Sequence, residues 1–243
     1  MADIARLLKE RWSRALLHCD AVQGFLKVPC APAGWGVDLM SLSAHKLGGP
    51  KGIGALLVRK GLRFGNLIDG GAQERSRRAG TENTAGIVGL AAAVKEATKD
   101  IPGRVARLTK LRDKLIAGAS KIDRSHLNGH PTKRMAGNFN MCFEGIEGES
   151  LLLSLDLKGV CGSSGSACTS GSLDPSHVLL SLGMPHEIAH GSLRLTLSDE
   201  NTEEDVDYIL EVLPPIVERL RSMSPLWERI QKENRPPFQF QDR

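Results

Sequence analysis

Lys46 lies in a segment whose residue types suit covalent chemistry on a carbonyl compound. Residues 41–52 read Ser-Leu-Ser-Ala-His-Lys-Leu-Gly-Gly-Pro-Lys-Gly, so a histidine directly precedes the lysine and a glycine pair follows soon after it. A lysine amine can form a Schiff base with an aldehyde where a pocket keeps it unprotonated. A lone lysine is more often an exposed cation, and the hypothesis therefore depends on two further residues, Asp20 and Cys168.

Asp20 follows a short apolar run. The sequence Leu-His-Cys-Asp-Ala-Val-Gln predicts a buried strand over residues 16–19, with Asp20 at its carboxyl end, where open α/β sheets bind ligands. A carboxylate there can keep a pyridine nitrogen protonated, which makes the ring an electron sink. Gln23 can donate a hydrogen bond to a substituent of the same ring. An aspartate that only initiates a turn is the alternative.

Cys168 lies within the small-residue run Gly-Ser-Ser-Gly-Ser-Ala-Cys-Thr-Ser-Gly-Ser at residues 162–172. A structural cysteine usually has apolar neighbours, whereas such a loop can carry a thiol into a pocket and out again. The Asp-Pro-Ser run at 174–176 predicts the start of a helix that anchors the far end of the loop. A linker with an incidental thiol is the alternative.

Two arginine-containing segments predict anion sites. Residues 78–81, Arg-Ala-Gly-Thr, are predicted at a helix N-terminus, where free N–H groups and the helix dipole favour phosphate. Arg194 lies between two leucines in a predicted strand, which makes it a candidate for bidentate binding of a substrate carboxylate. From the pattern alone, an outward position of Arg194 on the polar face is equally supported.

The elements that must position these residues follow from hydrophobic periodicity. The first half alternates helices and strands, which predicts an α/β domain. The expected elements there are a helix over 3–17, strands over 16–19, 37–43 and 53–59, and a helix from Thr81 to about Lys99.

The second half predicts an α+β domain. Its expected elements are a helix over 104–120, a strand over 138–143, a helix over 148–157, a strand over 192–197 and a long helix begun by Asn201. Pro214-Pro215 is expected to kink or split that last helix, and the tail from Gln231 is expected to be loosely ordered. Pro102-Gly103 is expected to break the chain, which gives predicted domains of 1–102 and 103–243.

Composition and cysteine spacing argue against nucleic-acid-binding, metal-binding and membrane functions. The 243 residues are 41% hydrophobic with a net charge of +4 and no dense basic block, so we expect no nucleic-acid partner. The five cysteines form no Cys-x-x-Cys pair and no zinc spacing, so we expect free thiols, a reducing compartment and no metal site. An apolar signal core and a run of transmembrane length are both missing, so we expect a cytoplasmic protein without a membrane partner.

Together these motifs resemble the cysteine desulfurases, pyridoxal-phosphate enzymes of the aspartate aminotransferase fold in the class V aminotransferase group. The resemblance rests on the His-Cys-Asp-Ala-Val-Gln strand end, residues 41–46, the Gly-Pro-Lys-Gly-Ile-Gly turn, residues 73–84, the loop around Cys168 and Ser-Pro-Leu-Trp at 224–227. It implies an α/β protein of the fold type I transferases. A partial large domain with a mainly parallel sheet would form residues 1–102, and a small α+β domain would follow.

The resemblance also implies cofactor-binding roles. Lys46 would bind the aldehyde of pyridoxal 5'-phosphate and later act as base at the substrate α-carbon. Asp20 would pair with the pyridinium nitrogen and Gln23 with the phenolic oxygen. Ser43 and His45 would bind the phosphate, and His45 is also a candidate catalytic residue.

The remaining implied roles concern the substrate and a second subunit. Cys168 would attack the sulfur of L-cysteine and hold it as a persulfide while alanine is released. Arg194 would bind the cysteine carboxylate. Thr81 would reach the phosphate of the partner in a homodimer, and Cys161 has no implied role. A sulfur acceptor or an iron–sulfur scaffold protein is the implied partner, since the long loop around Cys168 is similar to the branch that supplies iron–sulfur cluster assembly.

Two alternatives stay open. The first is another pyridoxal-phosphate activity, such as a selenocysteine lyase or an aminotransferase, although transamination needs no thiol. The second is a truncated, inactive homologue that binds a sulfur acceptor. Relatives would carry a substantial segment before the Asp20 strand, with a phosphate-binding threonine loop, a histidine that stacks on the ring and an asparagine near its phenolic oxygen. Here about one helix precedes that strand.

Overall fold

The computed structural model of the protein describes residues 1–12, 14–28, 30–164 and 174–240. The chain forms two compact units, Met1–Gly103 and Arg104–Arg243. None of the described helices is long and apolar enough to cross a membrane. The assignment of the first segment to a cofactor-binding large domain stays a prediction.

Unit 1 is built around a three-stranded mixed sheet of order β1-β2-β3. The strands β1 and β2 are parallel, and β3 runs antiparallel to β2. Its elements are α1 (Ala2–Arg11), β1 (His18–Asp20), α2 (Pro32–Trp35), β2 (Leu39–Ser43), a 3-10 helix (Ala44–Leu47), β3 (Gly54–Val58), α3 (Gln73–Ser76) and α4 (Thr84–Ala97).

Asp38 fixes the start of β2 in this sheet. The carboxylate is buried and accepts hydrogen bonds from the Leu17 N–H at 2.8 Å and from Arg59 Nε at 2.6 Å. The hydrogen bond from Leu17 lowers the pKa of Asp38, and Arg59 adds to this against the effect of burial. Leu17 precedes β1, Asp38 precedes β2 and Arg59 follows β3. The Asp38 side chain therefore links all three strands at the edge where the two parallel strands begin.

Unit 2 contains an antiparallel sheet of order β4-β5-β6. Its elements are α5 (Ile101–Ala119), whose first three residues belong to unit 1, β4 (Ser125–Leu127), β5 (Asn138–Phe143), α6 (Gly148–Asp156), α7 (His177–Ser181), α8 (His186–Ala189), β6 (Ser192–Thr196), α9 (Glu203–Ser222) and α10 (Pro225–Lys232). The main core lies between the sheet and the long helices; fully buried members include Leu115, Phe139, Phe143, Leu155 and Leu213.

Three expectations about helices are wrong. The first helix ends at Arg11, where the predicted one continued to residue 17, and Ala5 is its one described buried residue. Pro102 lies in the first turn of α5 and does not break the chain, because a proline there loses no helical hydrogen bond. The helix α9 continues unsplit through Pro214-Pro215, since apolar residues on both sides of the prolines are buried in the core.

The carboxylate of Glu144 fastens the C-terminal segment to unit 2, although this tail was expected to be loosely ordered. Its Oε1 accepts from the Phe238 N–H at 2.8 Å and pairs with His126 Nε2 at 2.6 Å. Arg124 Nη1 donates to Oε2 at 3.0 Å, and Arg221 Nε donates to the main-chain oxygen of Glu144 at 2.9 Å. Burial alone would raise the pKa of this carboxyl, but the hydrogen bonds hold it below its ordinary value.

We expect Glu144→Gln to destabilise unit 2 by about 2 kcal/mol, because a buried charged acceptor with three donors is replaced by an amide. Since the folded-state pKa lies below the ordinary 4.5, the wild-type contribution is complete above about pH 4.5 and is lost as the pH falls through the folded-state pKa. Hydrogen exchange of the β5 amides against pH measures both effects. The exposed Glu218→Gln is the control; equal protection in the two variants would contradict the expectation.

Candidate active site

The register of the first two strands determines which side chains share the carboxyl edge of the sheet. Asp20 ends β1 opposite Ser41 of the parallel β2, and β2 ends two residues later at Ser43. The 3-10 helix follows at once and carries His45 and Lys46, both exposed. Because both parallel strands end here, the structure brings these predicted residues to one edge.

Two hydroxyl–imidazole pairs organise this edge. Ser43 Oγ lies 2.6 Å from His45 Nδ1, and Ser41 Oγ lies 2.6 Å from His18 Nε2. Asp20 Oδ1 accepts from the Val22 N–H at 3.0 Å, which holds the carboxylate at the strand end. The pair of Ser41 with His18 was missed in the sequence, although the period of two in parallel strands could have indicated it.

The donor set at this edge fits pyridoxal phosphate. The exposed carboxylate of Asp20 can face a protonated ring nitrogen, and the paired hydroxyl and imidazole of Ser43 and His45 can face a phosphate. Lys46 supplies the amine for the aldehyde. Gln23 is exposed in the turn after β1, three residues beyond Asp20.

Close packing of α4 holds the turn after Lys46. A side-chain carbon added at Gly89 would come within 2.5 Å of Pro50, and one at Gly49 within 3.1 Å of Ala93. Gly48 caps the 3-10 helix with φ +79°, in the left-handed region that favours glycine. The glycines therefore allow the helix to contact the turn directly, and the sequence alone indicated only that the turn is sharp.

Thr81 lies three residues before α4, which begins later than predicted. The helix starts at Thr84, and its cap is Asn83, whose side chain accepts from the Gly86 N–H at 3.0 Å. The side chain of Thr81 is exposed. The role of Thr81 toward a partner subunit therefore stays a prediction.

Arg194 of unit 2 lies on β6, on the face opposite to the core. Its neighbours Leu193 and Leu195 are buried in the core, whereas Arg194 is half-buried. Two backbone hydrogen bonds join it to Ser163: the Ser163 N–H donates to the Arg194 oxygen at 3.0 Å and the Arg194 N–H donates back at 2.7 Å. The backbone of Ser163, which precedes the segment with Cys168, is therefore held next to the backbone of Arg194.

Cys168 lies outside the described residues, so its predicted role stays a prediction. On the far side of that segment, Ser176 caps α7, in agreement with a helix that starts after the Asp-Pro-Ser run. Among the described cysteines, Cys161 is exposed, while Cys142 is fully buried. Burial raises the pKa of the Cys142 thiol to about 12. No group of three or more His, Cys, Asp or Glu residues that could hold a metal occurs in the described part of the chain.

Comparison with known proteins agrees with this geometry. The family model for class-V aminotransferases matches residues 1–209. The chain belongs to the class-V aminotransferase family. It is 56% identical over 224 residues to a protein of Methanosarcina thermophila named cysteine desulfurase IscS, which covers 92% of this chain and 55% of that protein. A Clostridium botulinum protein of the same name is 53% identical over 233 residues, with 95% of this chain and 58% of that protein covered.

Solved structures show the same fold. One described as a NifS-like protein superimposes with a TM-score of 0.81 at 35% identity, over 90% of this chain and 57% of that chain. DndA from Streptomyces lividans superimposes with a TM-score of 0.61 at 36% identity, over 80% and 55%. The predicted fold class, an α/β transferase of the pyridoxal-phosphate type, is confirmed. The sheet of unit 1 is mixed, with one parallel and one antiparallel pair, where a mainly parallel sheet was expected. The chain spans a little over half the length of the relatives it matches.

We expect Gly89→Ala to shift the turn that follows Lys46, because the new methyl group would lie too close to Pro50. Overpacking of this kind costs about 1–3 kcal/mol. Faster hydrogen exchange of residues 44–53 would report the shift. Gly65→Ala is the control, since a side-chain carbon there meets nothing within 4 Å; the expectation fails if both variants exchange alike.

We expect the cysteines to differ in their rates of alkylation in the folded protein. Cys142 should resist iodoacetamide, because its thiol is buried and its pKa is raised to about 12. Cys161 should react readily, and Cys168 should react faster than Cys142. Mass spectrometry of the modified peptides measures the three rates. Alkylation of Cys142 at the rate of Cys168 would count against a reactive loop.

Proposed function

We propose that the chain is a pyridoxal-phosphate-dependent cysteine desulfurase that converts L-cysteine to L-alanine and takes up the sulfur on Cys168. The observation that carries the proposal is the common carboxyl edge of β1 and β2, which presents Asp20, the Ser43–His45 pair and Lys46 together. Relatives named cysteine desulfurase that are more than 50% identical support this choice of reaction within the family.

The residues of this edge would hold the cofactor, which when bound supplies an electron sink for the substrate α-carbon. Asp20 would keep the ring nitrogen protonated, and Gln23 would donate to the phenolic oxygen. Ser43 and His45 would bind the phosphate. The amine of Lys46 would hold the aldehyde and then remove the proton from the substrate α-carbon.

The residues of unit 2 would handle the substrate and its sulfur. The guanidinium of Arg194 would bind the cysteine carboxylate through two parallel hydrogen bonds. The thiolate of Cys168 would attack the substrate sulfur, so that a sulfur–sulfur bond forms as the carbon–sulfur bond breaks. The backbone pairing of Arg194 with Ser163 supports this division, because it ties the start of the thiol segment to the carboxylate-binding residue.

The proposal also covers the oligomeric state of the enzyme and the acceptor of its sulfur. A homodimer would allow Thr81 to reach the phosphate held by the partner subunit. The sulfur would pass to an acceptor or to an iron–sulfur scaffold protein in the cytoplasm. The exposure of Thr81, close before α4 in the chain, supports its proposed role in a homodimer.

The test is alanine release from L-cysteine by the protein supplied with pyridoxal phosphate. Wild type should release alanine and, with a reductant, sulfide. Cys168→Ser should lose this turnover but keep the yellow colour of the bound cofactor, whereas Cys161→Ser should retain turnover. Turnover by Cys168→Ser at the wild-type rate would overturn the assignment of the thiol.

We further expect Arg194→Lys to raise KM for L-cysteine about ten-fold, because losing one charged hydrogen bond costs roughly 1.5 kcal/mol. The kcat should change much less, since the residue binds the carboxylate and not the reacting atoms. Steady-state kinetics separate the two constants. Arg219→Lys on the exposed face of α9 is the control, and an unchanged KM in Arg194→Lys would refute the role.

A second candidate is a non-catalytic module that binds a sulfur acceptor. The exposure of large apolar residues on β3 and α4, Leu56, Leu57 and Val88 among them, favours it, because such surfaces are typical of protein contacts. The two candidate functions predict different colours for the protein in the presence of pyridoxal phosphate, because only the enzyme would bind this yellow cofactor. A colourless protein after incubation with pyridoxal phosphate would support the module over the enzyme.

A further inference from the structure

A cavity of about 710 Å³ lies in unit 1, at the edge of the sheet opposite to the candidate active site. Leu16 precedes β1, Leu39 begins β2 and Lys60 follows the antiparallel β3, so the lining comes from the amino ends of the parallel strands. Side chains of α1 and α2 complete the walls. The volume lies within the range of about 300–1,000 Å³ that is typical of small-molecule sites. We propose that this cavity binds a small aliphatic polyanion.

The charge of the lining favours an anion. Lys9, Arg14, Arg59 and Lys60 line the cavity, and Asp38 is the one carboxylate among the described lining residues. Both oxygens of Asp38 are already bonded inside the protein, one to a backbone N–H and one to Arg59 Nε. The carboxylate therefore offsets the charge of Arg59 and interacts with Lys9, and the four cations still leave the lining with a net positive charge.

Three of these cations form no salt bridge with a described carboxylate, although Lys9 is close enough to Asp38 to lower the pKa of that carboxyl. Within the described part of the chain, no carboxylate oxygen lies within 4.0 Å of the side-chain nitrogens of Lys9, Arg14 or Lys60. Lys9 lies against Gly36, because a side-chain carbon added at Gly36 would be 3.4 Å from Lys9 Nζ. The ammonium group thus lies directly over the wall that Gly36 forms, where a bound anion could contact it.

The apolar part of the lining favours an aliphatic body on the ligand. Leu16 is 52% exposed and Leu57 is 38% exposed, and with Pro32, Ala33 and Val37 they contribute hydrocarbon surface beside the cations. The described lining residues include no aromatic ring on which a planar base could stack. Burying such a surface against an alkyl chain is favourable, and the charged head would remain at the cationic rim.

The experiment compares probes in calorimetric titrations of the full chain. Geranyl diphosphate combines an aliphatic body with a polyanionic head, inorganic pyrophosphate has the head alone, and geraniol has the body alone. We expect geranyl diphosphate to bind at least ten-fold more tightly than either part, and more weakly as salt is added. A fourth probe, octylsuccinate, distinguishes a dicarboxylate head from a diphosphate head.

Charge reversal locates the site. Arg14→Glu and Lys60→Glu should each weaken binding of geranyl diphosphate at least ten-fold, because both side chains are exposed at the rim and make no ion pair that the fold requires. Lys95→Glu on α4 and Lys121→Glu in unit 2 remove exposed cations elsewhere and should leave binding unchanged. Circular dichroism confirms that all four variants fold.

Three results would overturn the inference: no binding of geranyl diphosphate or octylsuccinate, equal affinity for pyrophosphate, or equal weakening by the rim and control variants. The first result would show that the protein does not bind this class of ligand. The second would show that the aliphatic body adds nothing to the affinity, and the third that binding does not occur at this cavity. Binding in this assay is independent of alanine release and of Cys168. The inference and the proposed desulfurase activity can therefore fail separately.

Discussion

The parallel pairing of β1 with β2 is the constraint on which the candidate site depends. Asp20 stands opposite Ser41, so both strands end at one edge and the chain turns there into the 3-10 helix with Lys46. A slip of one residue would move Asp20 to the other face of the sheet and separate it from the amine. The buried carboxylate of Asp38 prevents such a slip, because it bonds the backbone before β1 and the side chain after β3.

The same pairing gives the sheet two chemically different edges. The carboxyl edge presents a carboxylate, hydroxyl–imidazole pairs and an amine, which together suit an aldehyde cofactor with a phosphate. The amino edge presents cations around an aliphatic surface. In unit 2, two backbone hydrogen bonds hold Ser163, which precedes the Cys168 segment, next to Arg194, the residue proposed to bind the substrate carboxylate.

The sequence predicted the strands around the site well, because short apolar runs that end at polar residues are local signals. β5 was predicted with its observed bounds, and the predicted bounds of β1, β2 and β3 differ from the observed ones by at most two residues. The close approach of Gly89 to Pro50 could not be predicted, because the two residues are 39 positions apart in the sequence. The Glu144 cluster could not be predicted either, because it joins residues from 18 to 94 positions away. The continuity of α9 through two prolines was also missed, since core packing outweighs the local preference.

The most direct measurement of the central claim is covalent trapping of pyridoxal phosphate on the full chain with borohydride, followed by peptide mass spectrometry. The account predicts one cofactor adduct, on Lys46, that is absent from Lys46→Ala. The neighbouring exposed lysine provides the matched control, and Lys51→Ala should keep the adduct on Lys46. An adduct spread over several lysines, or none at all on Lys46, would contradict the arrangement of amine and carboxylate described above.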